Sequence, residues 1–501
     1  KRMARRWLRL AAVVAAAGLP GLGAAAAQAV TNVAIVGESE NAAGKTIGLY
    51  GYTDMLSQQE VLLDEAVVDA EGRFTLRCYA NYPRLVFVEV ENYSQSFYVE
   101  PGRDYRVYLP VFDWSIDERR NVFLAPEPLP LRFLDLPADE LNLRIAAFEA
   151  VVDSFLLANR VYFDPKFKPQ KRYFDSLLVC LSKRGFKAAE PGADGETFFD
   201  RYMTCTLAGI QLATRAASRA RLVGRYINSK PVRYYDEQYM RLFFDLYAGS
   251  ISRGTRRVPL QRLVAWVHSG DLAAYMDSVG LDPLLRNEQV RELAVLQALK
   301  ESYFDREYEP AEVLHMIGQM AVQSKFAEHR ELASRLASLL AAREQGSPMP
   351  PVELPDVDRR RVNLDSLRGN WVYLSFVRVG DPNCLAELET MAHFRDSIYA
   401  RHKDVRFVSI SCDREFQKMY LFLTNSKRGR RYGRLWLHFD GNYRLLERYG
   451  VVSYPTFVLL DPEGRLHYTV TPPPASGILL RGPWEKESPA ESGFTAPFIN
   501  R

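Results

Sequence analysis

What this sequence has little of narrows it first. Five cysteines (Cys78, Cys180, Cys205, Cys384 and Cys412) stand in 501 residues, and none has Cys-x-x-Cys spacing. So sparse and odd-numbered a set excludes a disulfide framework. The seven histidines are scattered, without the i, i+4 pairing or Cys/His clustering of a metal site; no metal and no cofactor is expected. After residue 29 no apolar run is long enough to cross a bilayer, so no integral membrane span is expected. Excess charge is missing too. The formal net charge is +4, but Lys1, Arg2, Arg5, Arg6 and Arg9 lie in an acid-free stretch, residues 1–29, and the rest holds 60 basic against 61 acidic side chains. Nothing in that balance argues for nucleic acid as a partner.

The acid-free stretch has the three parts of a secretory signal peptide: a basic start, an apolar run from Leu8 to Leu22 and a small-residue end, Ala27-Gln28-Ala29. Cleavage after Ala29, where no cysteine waits to take a lipid, predicts an exported protein of the periplasm or cell envelope, soluble after signal cleavage. A chain of 501 residues suggests about three domains, and 47% hydrophobic with 25% charged residues is ordinary for globular ones. Residues 30–125 read as a β-sandwich domain: Tyr105-Arg106-Val107-Tyr108-Leu109 alternates, and turns recur at Asp69-Ala70-Glu71-Gly72 and Glu100-Pro101-Gly102. Gly44-Lys45-Thr46 is read as a turn and not as a phosphate loop, because Ser39 stands where the first glycine would be and no helical pattern follows. Residues 135–345 read as a helical domain, with Leu332, Leu336, Leu339 and Leu340 at i, i+4, i+7, i+8 and a second run from Leu293 to Leu299. The aromatics Tyr234, Tyr235, Tyr239, Phe243, Phe244 and Tyr247 are expected to be core at that spacing and not a stacking surface.

The informative stretch is 371–390. The apolar run from Trp371 to Val377 predicts a buried strand, and a helix begins after it, with Asp381 as N-cap, Pro382 as first helical residue and Cys384 in the first turn. Around it lie Leu354-Pro355-Asp356, the turn Leu364-Asp365-Ser366-Leu367-Arg368-Gly369, a strand from Val405 to Ser411, Tyr454-Pro455-Thr456, and the hairpin turn Asp461-Pro462-Glu463-Gly464. With these motifs residues 348 to about 470 resemble the TlpA/ResA-like thiol-disulfide oxidoreductases of the thioredoxin fold, and 348–475 is read as the thioredoxin-like domain. The 30–125 segment, with Gly44-Lys45-Thr46-Ile47-Gly48-Leu49-Tyr50, resembles the small β domain that precedes such modules in exported Bacteroidota proteins. The resemblance implies a multidomain chain with a C-terminal α/β thioredoxin-like domain, a cis-proline at Pro455 and a substrate groove beside it.

Where that family has Trp-Cys-x-x-Cys, this sequence has Gly380-Asp381-Pro382-Asn383-Cys384, so the attacking cysteine is replaced by a carboxylate that exchanges no electrons with a disulfide. Cys384 matches the family's resolving cysteine and Glu387 its acid three residues on. Two functions are carried forward. One is a binding, interaction or scaffold protein of the envelope with a redox-degenerate domain, holding a protein or peptide partner at Asp381, Tyr454 and Pro455. The other is a non-standard thiol-disulfide oxidoreductase using Cys384, paired with Cys412 if the two lie at the same sheet edge. Lys427, Arg428, Arg430, Arg431 and Arg434 form a basic cluster, read either as a solvated loop or as a contact for an anionic lipid head group or cell-wall polymer. Beyond the strand expected at 466–470, Pro472-Pro473-Pro474 opens a Pro/Gly-containing tail, 476–501, expected to be mobile.

Overall fold

A computed structural model of the chain describes residues 31–114, 127–159, 171–187, 190–192, 195–228, 230–255, 257–342, 344–425, 429–432, 435–468, 470–479 and 482–484. The signal-like segment 1–29 lies outside them.

The first described region is built of strands: β1 (Val33–Ser39), β2 (Thr46–Tyr52), β3 (Glu60–Val67), β4 (Arg73–Cys78), β5 (Arg84–Val90), β6 (Tyr93–Val99), β7 (Tyr105–Leu109), β8 (Glu127–Pro128) and β9 (Arg132–Leu134). They form two sheets, ordered β4-β1-β7-β9 and β3-β2-β5-β6-β8. Both bury their alternate apolar side chains in one cluster that includes Ile35, Leu49, Val88, Tyr105 and Leu129. Strands continue past position 125, because Leu129 and Leu131 are buried in the same cluster and carry β8 and β9 into the two sheets. Gly44, with φ of 81°, sits in the turn that enters β2, the left-handed conformation glycine supplies without strain.

Residues 141–341 are helical wherever helices are described. The helix Glu288–Tyr303, capped by Asn287, buries Val290 and every residue from Glu292 to Leu299, so it runs through the middle of the bundle. Leu332, Leu336 and Leu340 of the helix Ala327–Ala341 face the same core, while Leu339 points outward. Tyr234, Tyr239, Phe243 and Tyr247 are core residues; Tyr235 is exposed. A buried polar trio sits among them. His329 is wholly enclosed, with Nδ1 2.8 Å from Glu292 Oε2 and Nε2 2.8 Å from the Tyr234 hydroxyl. Gln289 donates to that hydroxyl at 3.0 Å, which leaves the tyrosine proton for Nε2 and puts the imidazole proton on Nδ1, facing the carboxylate. Burial lowers the pKa of His329 and Glu292 opposes it.

The C-terminal α/β domain opens with a hairpin, β10 (Glu353–Pro355) and β11 (Arg361–Asn363), followed by β12 (Trp371–Val377), β13 (Val405–Ser411), β14 (Leu435–His438) and β15 (Thr456–Leu460). Its sheet has the order β14-β13-β12-β15, with β13 parallel and β15 antiparallel to the central β12. Beyond Leu460 the expected strand reduces to a bridge between Leu460 and Leu466 and a bond from His467 N to Leu459 O. Three prolines from 472 on have no N–H to extend a ladder. The described part of the tail is not free: Leu479 and Trp484 are buried against the helix Pro382–Arg401 side of the sheet, and the Tyr373 hydroxyl donates to Pro472 O at 2.8 Å.

The β region has two unlike neighbours. Against the helices it shares apolar cores: Leu56 is buried in the bundle, and Tyr98 with Leu85 packs on Leu141, Phe148, Phe199 and Tyr202. Against the C-terminal domain no apolar cluster is shared among the described residues; the contacts are ionic. Arg444 donates to Glu60 and, at 2.7 Å, to Glu89, with its guanidinium 3.5 Å over the Tyr50 ring. Arg414 donates to Glu91 at 3.0 Å, and Glu91 also pairs with Lys45. A cleft of about 700 Å³ opens beside these contacts, lined by Thr46 and Glu65 on one side and Glu353 and Val452 on the other.

Candidate functional site

In the C-terminal domain β12 and β13 end level, Val377 opposite Ser411, so the loops after both emerge at one sheet edge. Open α/β sheets place sites at that carboxyl edge. The loop after β12 turns into the helix Pro382–Arg401. The Asp381 carboxylate accepts from the backbone N–H of Asn383 at 2.8 Å and of Cys384 at 3.0 Å, satisfying two of the orphan donors, and Pro382 at the first position leaves no N–H wanting.

Cys384 is fully buried, and its Sγ accepts the Arg378 N–H at 3.4 Å. Burial pushes its thiol up to about 12; the Arg378 N–H pulls the other way, while Asp381 and Asp413 add to the rise. A thiol held that far above its ordinary value supplies almost no thiolate at neutral pH. Cys412 is buried as well; its N–H donates to Val377 O at 2.8 Å and its Sγ lies 3.6 Å from Ile410 O. Burial raises its pKa too, and the Tyr454 hydroxyl, hydrogen-bonded to it, opposes that. Both cysteines are free thiols. Cys384 packs with Tyr373 and Val377, Cys412 with Leu374, Phe376 and Ile410, and alternate residues of one strand face opposite sides of a sheet. The edge therefore brings the two cysteines near each other without giving them a shared face.

Tyr454 precedes Pro455 through a cis peptide bond. Its ring carries the Arg378 guanidinium at 5.0 Å, so the loop after β12 and the loop before β15 meet across it. Glu387 goes elsewhere. Its Oε2 accepts the Ala475 N–H at 3.0 Å, tying the helix to the segment after the three prolines. In the basic cluster, Lys427, Arg428 and Arg434 and the side chain of Arg430 lie outside the described residues. Arg431 is described, and it is paired with Glu389 at 2.8 Å.

Asp413 and His438, which the sequence reading passed over, hold the edge together. Asp413 Oδ2 accepts from Val379 N at 3.0 Å and from Ser411 Oγ at 2.8 Å, bracing the loop that leads to Cys384. The Asp440 N–H donates to His438 Nδ1 at 3.1 Å, which leaves Nε2 as the donor to Asp413 O at 2.7 Å and fixes a neutral tautomer. Burial lowers the pKa of His438. Their sequence signal is a polar residue on each side of Cys412, Ser411 and Asp413, where an apolar strand ends.

A thioredoxin-like family model matches residues 369–466, which span β12 to the turn after β15. Among solved structures, the thioredoxin domain of a thiol-disulfide oxidoreductase from Bacteroides vulgatus is 24% identical, with a TM-score of 0.21, over 25% of this chain and 86% of that one. A thiol:disulfide interchange protein from Bacteroides sp. is 23% identical, with a TM-score of 0.23, over 25% and 81%. An exposed lipoprotein thioredoxin from Streptococcus pneumoniae is 27% identical, with a TM-score of 0.21, over 23% and 85%. No curated protein matches the chain. The C-terminal domain is thus thioredoxin-like, and no helix among the described residues is long and apolar enough to cross a membrane.

Proposed function

We propose that the chain is an exported envelope protein whose thioredoxin-like domain, TlpA/ResA-like in type and degenerate in its motif, holds an extended segment of a protein partner beside Pro455 and carries out no dithiol exchange. The observation that carries this is the helix start: Asp381 occupies the position of an attacking thiol and serves as a cap, while Cys384 behind it is buried with a thiol pushed up to about 12. Exchange needs an accessible thiolate at neutral pH, and this edge offers none. What remains is shape: Arg378 and Tyr454 frame the loop, and Val452 beside them is 72% exposed. The envelope location rests on the signal-like composition of residues 1–29, and the three-part division at 30–125, 135–345 and 348–475 is part of the same reading.

The test is reductant-coupled insulin reduction by the full chain and by Cys384→Ser. Both are expected to give only the background rate, and turnover that the substitution abolishes sinks the proposal in favour of a thiol enzyme using Cys384 with Cys412.

A further inference from the structure

We propose that the cleft between the β region and the thioredoxin-like domain is a docking groove for a lysine- or arginine-rich segment of a protein partner. Cys412, Tyr454 and Pro455 are not among its lining residues, so the groove is separate from the edge beside Pro455 and does not rest on the binding reading of that edge.

The cleft holds about 700 Å³, inside the range of about 300–1,000 Å³ that ligand sites occupy, and it lies between two domains, where such sites concentrate. Its walls are acidic on both sides. The β region contributes Glu60, Glu65, Glu89 and Glu91, and the thioredoxin-like domain contributes Glu353, Asp440 and Glu447. Two cationic side chains, Arg361 and Arg444, stand among the lining residues, and both are engaged: Arg361 pairs with Asp440 at 3.3 Å, and Arg444 with Glu60 and Glu89. Glu91 is matched by Lys45 and Arg414. Glu65 and Glu353 are exposed and have no ion pair among the described residues. The surplus acts across the gap. Burial raises the pKa of Glu89 and Arg444 opposes that, while Glu60 and Glu447, one from each wall, add to the rise. This field is local, since beyond residue 29 the chain holds 60 basic against 61 acidic side chains.

A cation is what such walls attract, and its form follows from how the carboxylates are spread. Among the described residues no three His, Cys, Asp or Glu side chains are grouped to hold a metal ion, so the charge lines a groove instead of converging on a point. Spaced positive charges on an extended chain match that layout. The wall also presents a donor. Asn442 Oδ1 is taken by the Leu445 N–H at 3.0 Å, which leaves the amide NH2 to donate, and a peptide carbonyl accepts where a protonated polyamine has no acceptor. Exposed Val452, also in the lining, suits the apolar stem of a lysine or arginine whose charged head lies among the carboxylates.

The test is fluorescence anisotropy of fluorescein-labelled pentalysine titrated with the full chain at low salt, with labelled pentaglutamate as the control. Pentalysine is expected to bind at one saturable site and pentaglutamate not at all; absence of saturable pentalysine binding overturns the groove. Glu65→Gln combined with Glu353→Gln removes two exposed carboxylates and leaves the ion pairs between the domains in place. That variant is expected to keep the parent's melting temperature and to bind pentalysine about tenfold more weakly, and an unchanged affinity overturns the proposal. Asp153→Asn combined with Asp175→Asn takes the same charge from two exposed positions on the helices and is expected to leave the affinity within about twofold of the parent. Equal weakening there means general attraction to the surface and overturns the groove too. Spermine is expected to displace the labelled peptide only at higher concentration than unlabelled pentalysine does; displacement at lower concentration assigns the cleft to a small amine and overturns the peptide. None of the substituted residues lies beside Pro455, so the groove and the edge stand or fall separately.

Discussion

The β region presents one face to the helices and another to the thioredoxin-like domain, and the two contacts are built from different physics. Toward the helices it inserts Leu56 and Tyr98 into apolar clusters and adds bonds such as Lys300 Nζ to Leu56 O at 2.7 Å and the paired bonds of Asn142 to the Tyr98 backbone at 2.7 and 2.8 Å. Toward the thioredoxin-like domain it offers Glu60, Glu89 and Glu91 to Arg444 and Arg414. Apolar burial is not weakened by charge screening and favours a permanent joint, while partly exposed ion pairs are worth little each and weaken with ionic strength. The chain thus has a fused half and a docked half.

The contrast can be broken at either side. Leu56→Ala removes a side chain that is 1% exposed in the helical core and is expected to cost about 3 kcal/mol, read by chemical denaturation; the loss should not shrink in high salt. Arg444→Ala is expected to cost about 2 kcal/mol at low salt, because it leaves Glu60 and the desolvated Glu89 without their partner. That loss should shrink in 1 M salt, and a salt-independent loss would erase the distinction.

Acid sharpens the comparison inside each half. His329 in the helices and His438 in the thioredoxin-like domain have pKa values lowered by burial. A group whose folded pKa lies below its unfolded value of about 6.5 contributes stability that is present above that value and lost as pH falls through the folded pKa. Melting temperature is therefore expected to drop from pH 7 toward pH 5, by at most about 1.4 kcal/mol of stability per pH unit for each histidine. His329→Gln should flatten the slope, and an unchanged slope would remove that histidine from the account. The smallest effect is expected from Asp381→Ala, about 1 kcal/mol from the lost cap. A larger cost, measured by the same denaturation, would mean that the carboxylate does more than cap its helix.

The strand, turn and helix from Trp371 to Arg401 were legible because three local rules agreed there: an apolar run, a carboxylate cap and a proline that needs no N–H. The spacing of Leu332, Leu336, Leu339 and Leu340 named the helix and most of its buried side, with Leu339 alone of the four exposed. What local pattern could not carry was partnership at long range. Asp413 and His438 lie 25 residues apart and become one unit only because β14 runs beside β13. Glu91 and Arg414 are separated by 323 residues. Glu387 matches the family's acid in sequence, and its hydrogen bond goes to Ala475, a partner that depends on where the chain returns after its prolines. The late strands β8 and β9 were missed for a simpler reason: two and three residues are too few to show alternation.

That return of the chain matters at the bench. Anyone wishing to express the thioredoxin-like domain alone would be tempted to cut after Leu466, where the family match ends. Such a fragment would lack Leu479, Trp484 and the Pro472 carbonyl, leaving an apolar trench along the helix Pro382–Arg401 and the Tyr373 hydroxyl without its acceptor. A shorter piece of this chain would then be the stickier one, and its aggregation would report on where the scissors fell and not on the fold.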